Sequence, residues 1–125
     1  MDDLLAFLAA RLDEDEAAAH AALHGGSGRW ERYREADLYD LDHRLVTTSG
    51  EFAHIIRHDP ARVLREAEAK RAILARYEDC LARMEDPAYS GTAEYVQIRE
   101  YEDFILPNLA AAWSDHPDCR PERKP

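Results

Sequence analysis

The dipeptide Asp59-Pro60 constrains this chain more than any other feature, because it marks where one helix stops and a longer one starts. An aspartate side chain accepts hydrogen bonds from the unpaired N–H groups that open a helix. A proline at the first helical position gives up a bond it would not have made. Upstream, Phe52, Ile55 and Ile56 share a face, which predicts a short helix over 51–58. Downstream, Val63, Leu64, Ala67, Ile73, Leu74, Tyr77, Leu81 and Met84 recur every three or four residues, the core stripe of a central helix over 60–85 that Asp86-Pro87 ends.

The remaining segments follow from period and punctuation. Leu4, Leu5, Leu8 and Leu12, with Phe7, predict a helix over 1–24 that the glycines of Gly25-Gly26-Ser27-Gly28 stop. Over 29–48 the helical period disappears. Tyr39 and Leu41 alternate with Asp40 and Asp42, Asp42-His43 can turn, and Leu45-Val46 can return, which predicts a hairpin with 30–34 as a third short strand. An isolated hairpin is marginal in water, so it must lie on the helices, with Trp30 as its anchor. Thr92 opens a last helix over 92–113, in which Tyr95, Val96, Ile98, Tyr101, Ile105, Leu106, Leu109 and Trp113 are apolar and Pro107 forces a kink or a restart. Prolines keep the tail, 114–125, out of helix. The expected fold is therefore α+β and helix-dominated: one domain over 1–125, with three main helices and a small β-hairpin packed on them. Trp30 and Trp113 are both expected in its core.

Composition narrows the function classes. The chain has 125 residues, enough to bury roughly two-thirds of the surface of its unfolded form without a staple. Its apolar share of 46% includes 21 alanines, which favour helix but fill little volume, so the core must be thin. A formal charge of −10 argues against binding nucleic-acid phosphates or anionic lipid. The charge is uneven. Between His54 and Arg76, six cations (Arg57, Arg62, Arg65, Lys70, Arg71 and Arg76) face only Asp59, Glu66 and Glu68, leaving a formal −13 for the rest. Spacings of four, as in Arg62 with Glu66, read as ion pairs along a solvated helix face. Two isolated cysteines, Cys80 and Cys119, form no disulfide framework and suit a reducing cytoplasm. No apolar run of 18 residues exists, and Met1-Asp2-Asp3 lacks the charge of a signal peptide.

Few constellations could carry chemistry. His54 and His58 stand four apart, so on a helix they point the same way, and Asp59, Asp115 and His116 have side chains of the types that bind metal. That set admits three readings: histidines bonded at a helix junction, a divalent-metal site that would make the protein a metal binder or a metal-dependent enzyme, or acid–base catalysis by the histidines. The serines lack a nucleophile elbow, neither cysteine has an activating sequence context, and the glycine-rich stretch lacks the lysine of a phosphate loop. No catalytic or cofactor-binding residue is assigned. The expected function is a non-enzymatic interaction or regulatory module with a protein partner and neither a nucleic acid nor a membrane. An acidic decoy of nucleic acid is disfavoured by the interleaved arginines.

Three segments together resemble a family of short actinobacterial proteins known only as a domain of unknown function. Met1-Asp2-Asp3-Leu4 with Phe7-Leu8 and 11–16 resembles its opening helix. His54-Ile55 with 57–64, Glu66 and Glu68-Ala69-Lys70-Arg71 resembles its central signature, and Asp115-His116-Pro117 with Arg120 its closing segment. The chain departs from the pattern over 25–29, where the family has a proline-containing approach to the tryptophan, and at Cys119, where it has an aromatic. The resemblance implies no activity or cofactor. It implies that His54, His58, Asp59, Pro60, Asp115 and His116 belong to a shared pattern.

Overall fold

The computed structural model describes residues 2–23, 26–34, 37–40, 45–47, 52–88 and 91–121. In chain order these form α1 (Asp2–Leu23), β1 (Trp30–Arg34), β2 (Asp37–Asp40), β3 (Leu45–Thr47), α2 (Phe52–Arg57), α3 (Pro60–Met84) and α4 (Thr92–Glu100). A π turn (Tyr101–Ile105), α5 (Leu106–Ala110) and a 3-10 turn (Ala111–Trp113) follow.

The chain is helix-dominated as expected, but the expected α+β class, three main helices carrying a packed β-hairpin, is corrected to a helical one. Every described buried hydrophobic side chain except Cys119 stands on a helix. The β segments amount to a short antiparallel ladder in the order β1-β2-β3, with a register shift in each pairing, and β1 touches α2. Strands of three to five residues with broken register are too short and irregular to form a layer that helices could cover, so they do not set the fold class.

The chain divides into two compact units. One comprises Met1–Leu12 and Lys70–Pro125. Its core gathers Leu4, Phe7, Leu8 and Leu12 from α1, Leu74, Tyr77 and Cys80 from α3, and Ile98, Leu106 and Ala110 from the last helical run, with Cys119. Two polar groups inside it are paired: the Tyr77 hydroxyl donates to Glu102 Oε1 at 2.7 Å, and Cys80 Sγ lies 3.3 Å from Gln97 Oε1. The Tyr77 and Tyr101 rings stand 5.6 Å apart. Trp113 is half-buried rather than sealed in the core, and Lys70 Nζ sits 5.0 Å from its ring centroid. Both cysteines are free and buried.

The other unit is Asp13–Ala69. There α1 runs out through small residues, with Ala19 buried, and a bond from Gly26 N–H to the Leu23 carbonyl closes its end. Gly28 follows with φ +76, and a Cβ at that position would meet Leu23 Cδ2 at 2.5 Å. The left-handed backbone, which side chains rarely adopt, is what favours glycine there, since the leucine methyl could shift aside. Trp30 is half-buried, and Arg62 pairs with Glu66 at 2.7 Å as their spacing predicts.

Pro107 explains the π turn. Lacking an N–H and carrying a ring that crowds the preceding carbonyl, it cannot sit in a regular α-helix, and the widened turn just before it relieves the clash. The Asn108 side chain donates to the Phe104 carbonyl at 2.7 Å, and Leu106 N–H reaches back five residues to Tyr101. The extra residue also resets the phase. At about 100° per residue, Ile98 and Leu106 would lie about 80° apart in an unbroken helix. One inserted residue brings them, and Ala110, to within about 20° of one line. All three are buried. An unbroken helix would put Ile105 there instead. Leu106→Ala should therefore cost about 2 to 5 kcal/mol in a denaturant melt, and Ile105→Ala at least about 1 kcal/mol less; the opposite order would place the helix in α register.

Candidate functional site

The junction of α2 and α3 is the best-specified polar site, and it is built by one carboxylate. Asp59 Oδ1 accepts the Arg62 N–H at 2.8 Å, and Asp59 Oδ2 accepts the N–H of Trp30 at 3.2 Å. The other opening groups of α3 are satisfied as well. Pro60 has no N–H, Ala61 donates to the Gly28 carbonyl at 2.9 Å, and Val63 donates to the Asp59 carbonyl at 3.1 Å. With every first-turn donor engaged, this helix start offers no free N–H groups to an anion. The Asp59 carboxylate is thus a helix cap that also ties down the start of β1.

The sequence-predicted metal residues are distributed as follows. His54 lies in α2, but its side chain is outside the described ones. His58 occupies the turn after α2, where its N–H meets the Ile55 carbonyl at 3.2 Å and its side chain is exposed. His58 and Asp59 belong to the Asp13–Ala69 unit, whereas Asp115, which is exposed, and His116, which is half-buried, belong to the other. Among the described residues, no group of three or more His, Cys, Asp and Glu side chains is arranged to hold a metal ion.

His116 instead meets a residue that sequence reasoning passed over. Arg11, only 4% exposed, donates from Nη1 to His116 Nδ1 at 2.8 Å and pairs with Asp118 Oδ2 at 3.3 Å. The backbone N–H of Asp118 also donates to His116 Nδ1, at 3.1 Å. Two donors aimed at one ring nitrogen make it the acceptor, which assigns the ring proton to Nε2. The guanidinium carbon lies 5.0 Å from the Phe7 ring centroid, and the Phe7 and His116 rings meet edge to face at 6.2 Å. Farther along, Arg120 pairs with Asp3 at 3.0 Å. These contacts fasten the closing segment onto α1. A signal existed: Arg11 is seven residues after Leu4 and four after Phe7, so it lies on the apolar face of its helix.

The two sites differ in how they should fail. Asp59→Ala should destabilise the fold by about 1 to 2 kcal/mol, and Asn or Ser should recover about half, since each restores the acceptor for Arg62 but not the carboxylate oxygen that Trp30 uses. Equal losses for Ala, Asn and Ser in urea melts would remove the cap assignment. At the closing segment, Arg11→Ala should cost about 3 kcal/mol, because it empties a buried volume and breaks the pair. Asp118→Ala should cost under about 1 kcal/mol, because its side chain is 71% exposed. A larger loss at Asp118 in the same melts would show that the ion pair, not the packing of the arginine, holds the segment.

No curated protein and no solved structure matches this chain. The model of a family of unknown function (DUF6221) matches it over residues 1–125. The chain that carries the Asp59 cap and the Arg11 latch therefore belongs to that family.

Proposed function

We propose that the protein is a non-enzymatic interaction module of the cytoplasm, and that its partner is a protein presenting a basic, partly apolar segment. The observation that carries this reading is the outer face of the last helical run. Val96 and Phe104 are 62% and 61% exposed. The inserted residue of the π turn that aligns the buried side chains also brings these two to within about 20° of each other, opposite the buried line. Tyr95, also exposed, stands beside Val96. Apolar side chains of this size are seldom left in water in an aligned pair without a use.

Charge selects the partner's chemistry. Glu100 and Asp103 flank the apolar pair on the same run, with Arg99 already engaged by Asp103 at 2.9 Å, and the chain as a whole carries −10. An acidic rim around an apolar centre favours a cationic partner and repels nucleic acid. The cytoplasmic setting is supported by the two free thiols. Among the described residues, no helix is long and apolar enough to cross a membrane.

The test is affinity capture with the immobilised chain, followed by purification of whatever polypeptide is retained and a direct binding measurement. Phe104→Ser and Val96→Ser should each weaken that direct binding about tenfold or more while leaving the melting midpoint within a few degrees, since both side chains are exposed. Affinity should also fall with added salt. A partner that binds both variants as tightly as the native chain would overturn the reading.

A further inference from the structure

The outer face of the last helical run also constrains the conformation of whatever docks on it, an inference that rests on reading that face as an interaction surface. We propose that the partner segment binds there as an amphipathic helix, with two apolar side chains about two turns apart on one face and a lysine or arginine between them.

The backbone of the run disfavours an extended partner. The Tyr101 N–H bonds to the Gln97 and Ile98 carbonyls, and the Leu106 N–H bonds to Tyr101. The Phe104 carbonyl, three residues before Pro107, is taken by the Asn108 side chain. A strand laid on this face would find no sheet edge to pair with and would bury its own N–H and C=O groups unmet. A helix arrives with its backbone bonds already made.

Spacing and charge set the pattern. Val96 and Phe104 are eight residues apart and nearly in line, which at about 1.5 Å of rise per residue separates them by roughly 12 Å. On a partner helix, residues seven or eight apart share a face and are separated by about 10 to 12 Å. Glu100 is exposed midway between the two apolar side chains, and among the described residues no cation pairs with it, whereas Asp103 already holds Arg99. A cation in the middle of the partner's stripe meets that carboxylate.

The same residue argues against a second copy of this chain as the occupant. Position 100 is halfway between 96 and 104, so a two-fold pairing that seats Val96 on Phe104 sets Glu100 against Glu100. Like charges at the centre of an interface oppose it.

The experiment is an amide NMR titration of the full chain with alanine-rich synthetic peptides of about 17 residues, a length that holds partial helix in water. The first carries two leucines seven positions apart with a lysine four positions after the first leucine. The second replaces one central alanine by proline, which breaks the helix, and the third replaces the lysine by glutamate. The first should give saturable shifts centred on Val96, Glu100 and Phe104, half-complete at about 0.1 to 1 mM, and the other two should bind at least about fivefold more weakly. Glu100→Lys should exchange the preferences, weakening the lysine peptide and strengthening the glutamate one, a reversal that a loss of folding cannot produce. Equal binding of the proline peptide would overturn the helical partner, and unchanged preferences in Glu100→Lys would overturn its central cation. Shifts spread over the chain, or no saturable shift from any peptide, would overturn the inference as a whole. The capture experiment sets no condition on the partner's conformation, so a captured polypeptide that needs Val96 and Phe104 leaves the interaction face standing even where this inference fails.

Discussion

One carboxylate organises the Asp13–Ala69 unit. Asp59 is adjacent in sequence to the helix it caps and 29 residues from the tryptophan whose N–H it binds, so it joins a local and a long-range constraint in one group. The local bond alone would define where α3 starts. The second bond fixes the chain entering β1 against that start, and the Gly28 carbonyl on Ala61 N–H adds a parallel tie one step earlier. Because each tie satisfies a backbone group that would otherwise be left unpaired, losing one costs both the bond and the desolvation of its partner. Through these two backbone ties the short, irregular ladder is attached to the helical framework at the start of α3.

The closing segment is held by the opposite kind of chemistry. Arg11 is a charged group on a buried helix face, which is tolerable only if its head is paired and its stem packed. His116 supplies a neutral acceptor and Phe7 an aromatic face, while Asp118 supplies a charge that is mostly solvated. Most of the stabilisation therefore comes from packing and from the ring nitrogen. The Arg120 and Asp3 pair, exposed on both sides, contributes little by comparison.

What could be read from sequence was what depends on neighbours. The cap at Asp59, the proline start and the Arg62 and Glu66 pair each involve residues within four positions of one another, and of the expected stripe of α3 Ala67, Leu74 and Tyr77 are buried, whereas Met84 is exposed and Cys80, outside that stripe, is buried. What could not be read was non-local or depended on phase. Arg11 and His116 are 105 residues apart, and nothing in either neighbourhood names the other. The apolar pattern of 92–113 was legible, but its facing was not: with one residue inserted ahead of Pro107, Leu106 replaces Ile105 as the innermost side chain, and Val96 and Phe104 turn outward. The strand content over 29–48 was inferred from β-formers and alternation, and those signals report local extension. They do not report whether a sheet becomes a layer, which depends on area covered.

Alanine content links these features. With 21 alanines, the helices bring their backbones close but fill little of the space between larger neighbours, so stability has to come from a few large side chains and from specific polar ties. Where large residues meet, as at Leu8, Leu12, Tyr77 and Leu106, the interior is closed. Where α1 passes its Ala18, Ala19 and Ala22 beneath Trp30, it is not, and the same composition that thins the core leaves a lined cavity. The cap and the glycine tie therefore hold Trp30 and the start of α3 in place beside a space that the alanines of α1 leave unfilled, so this part of the unit depends on its polar ties where apolar volume is missing.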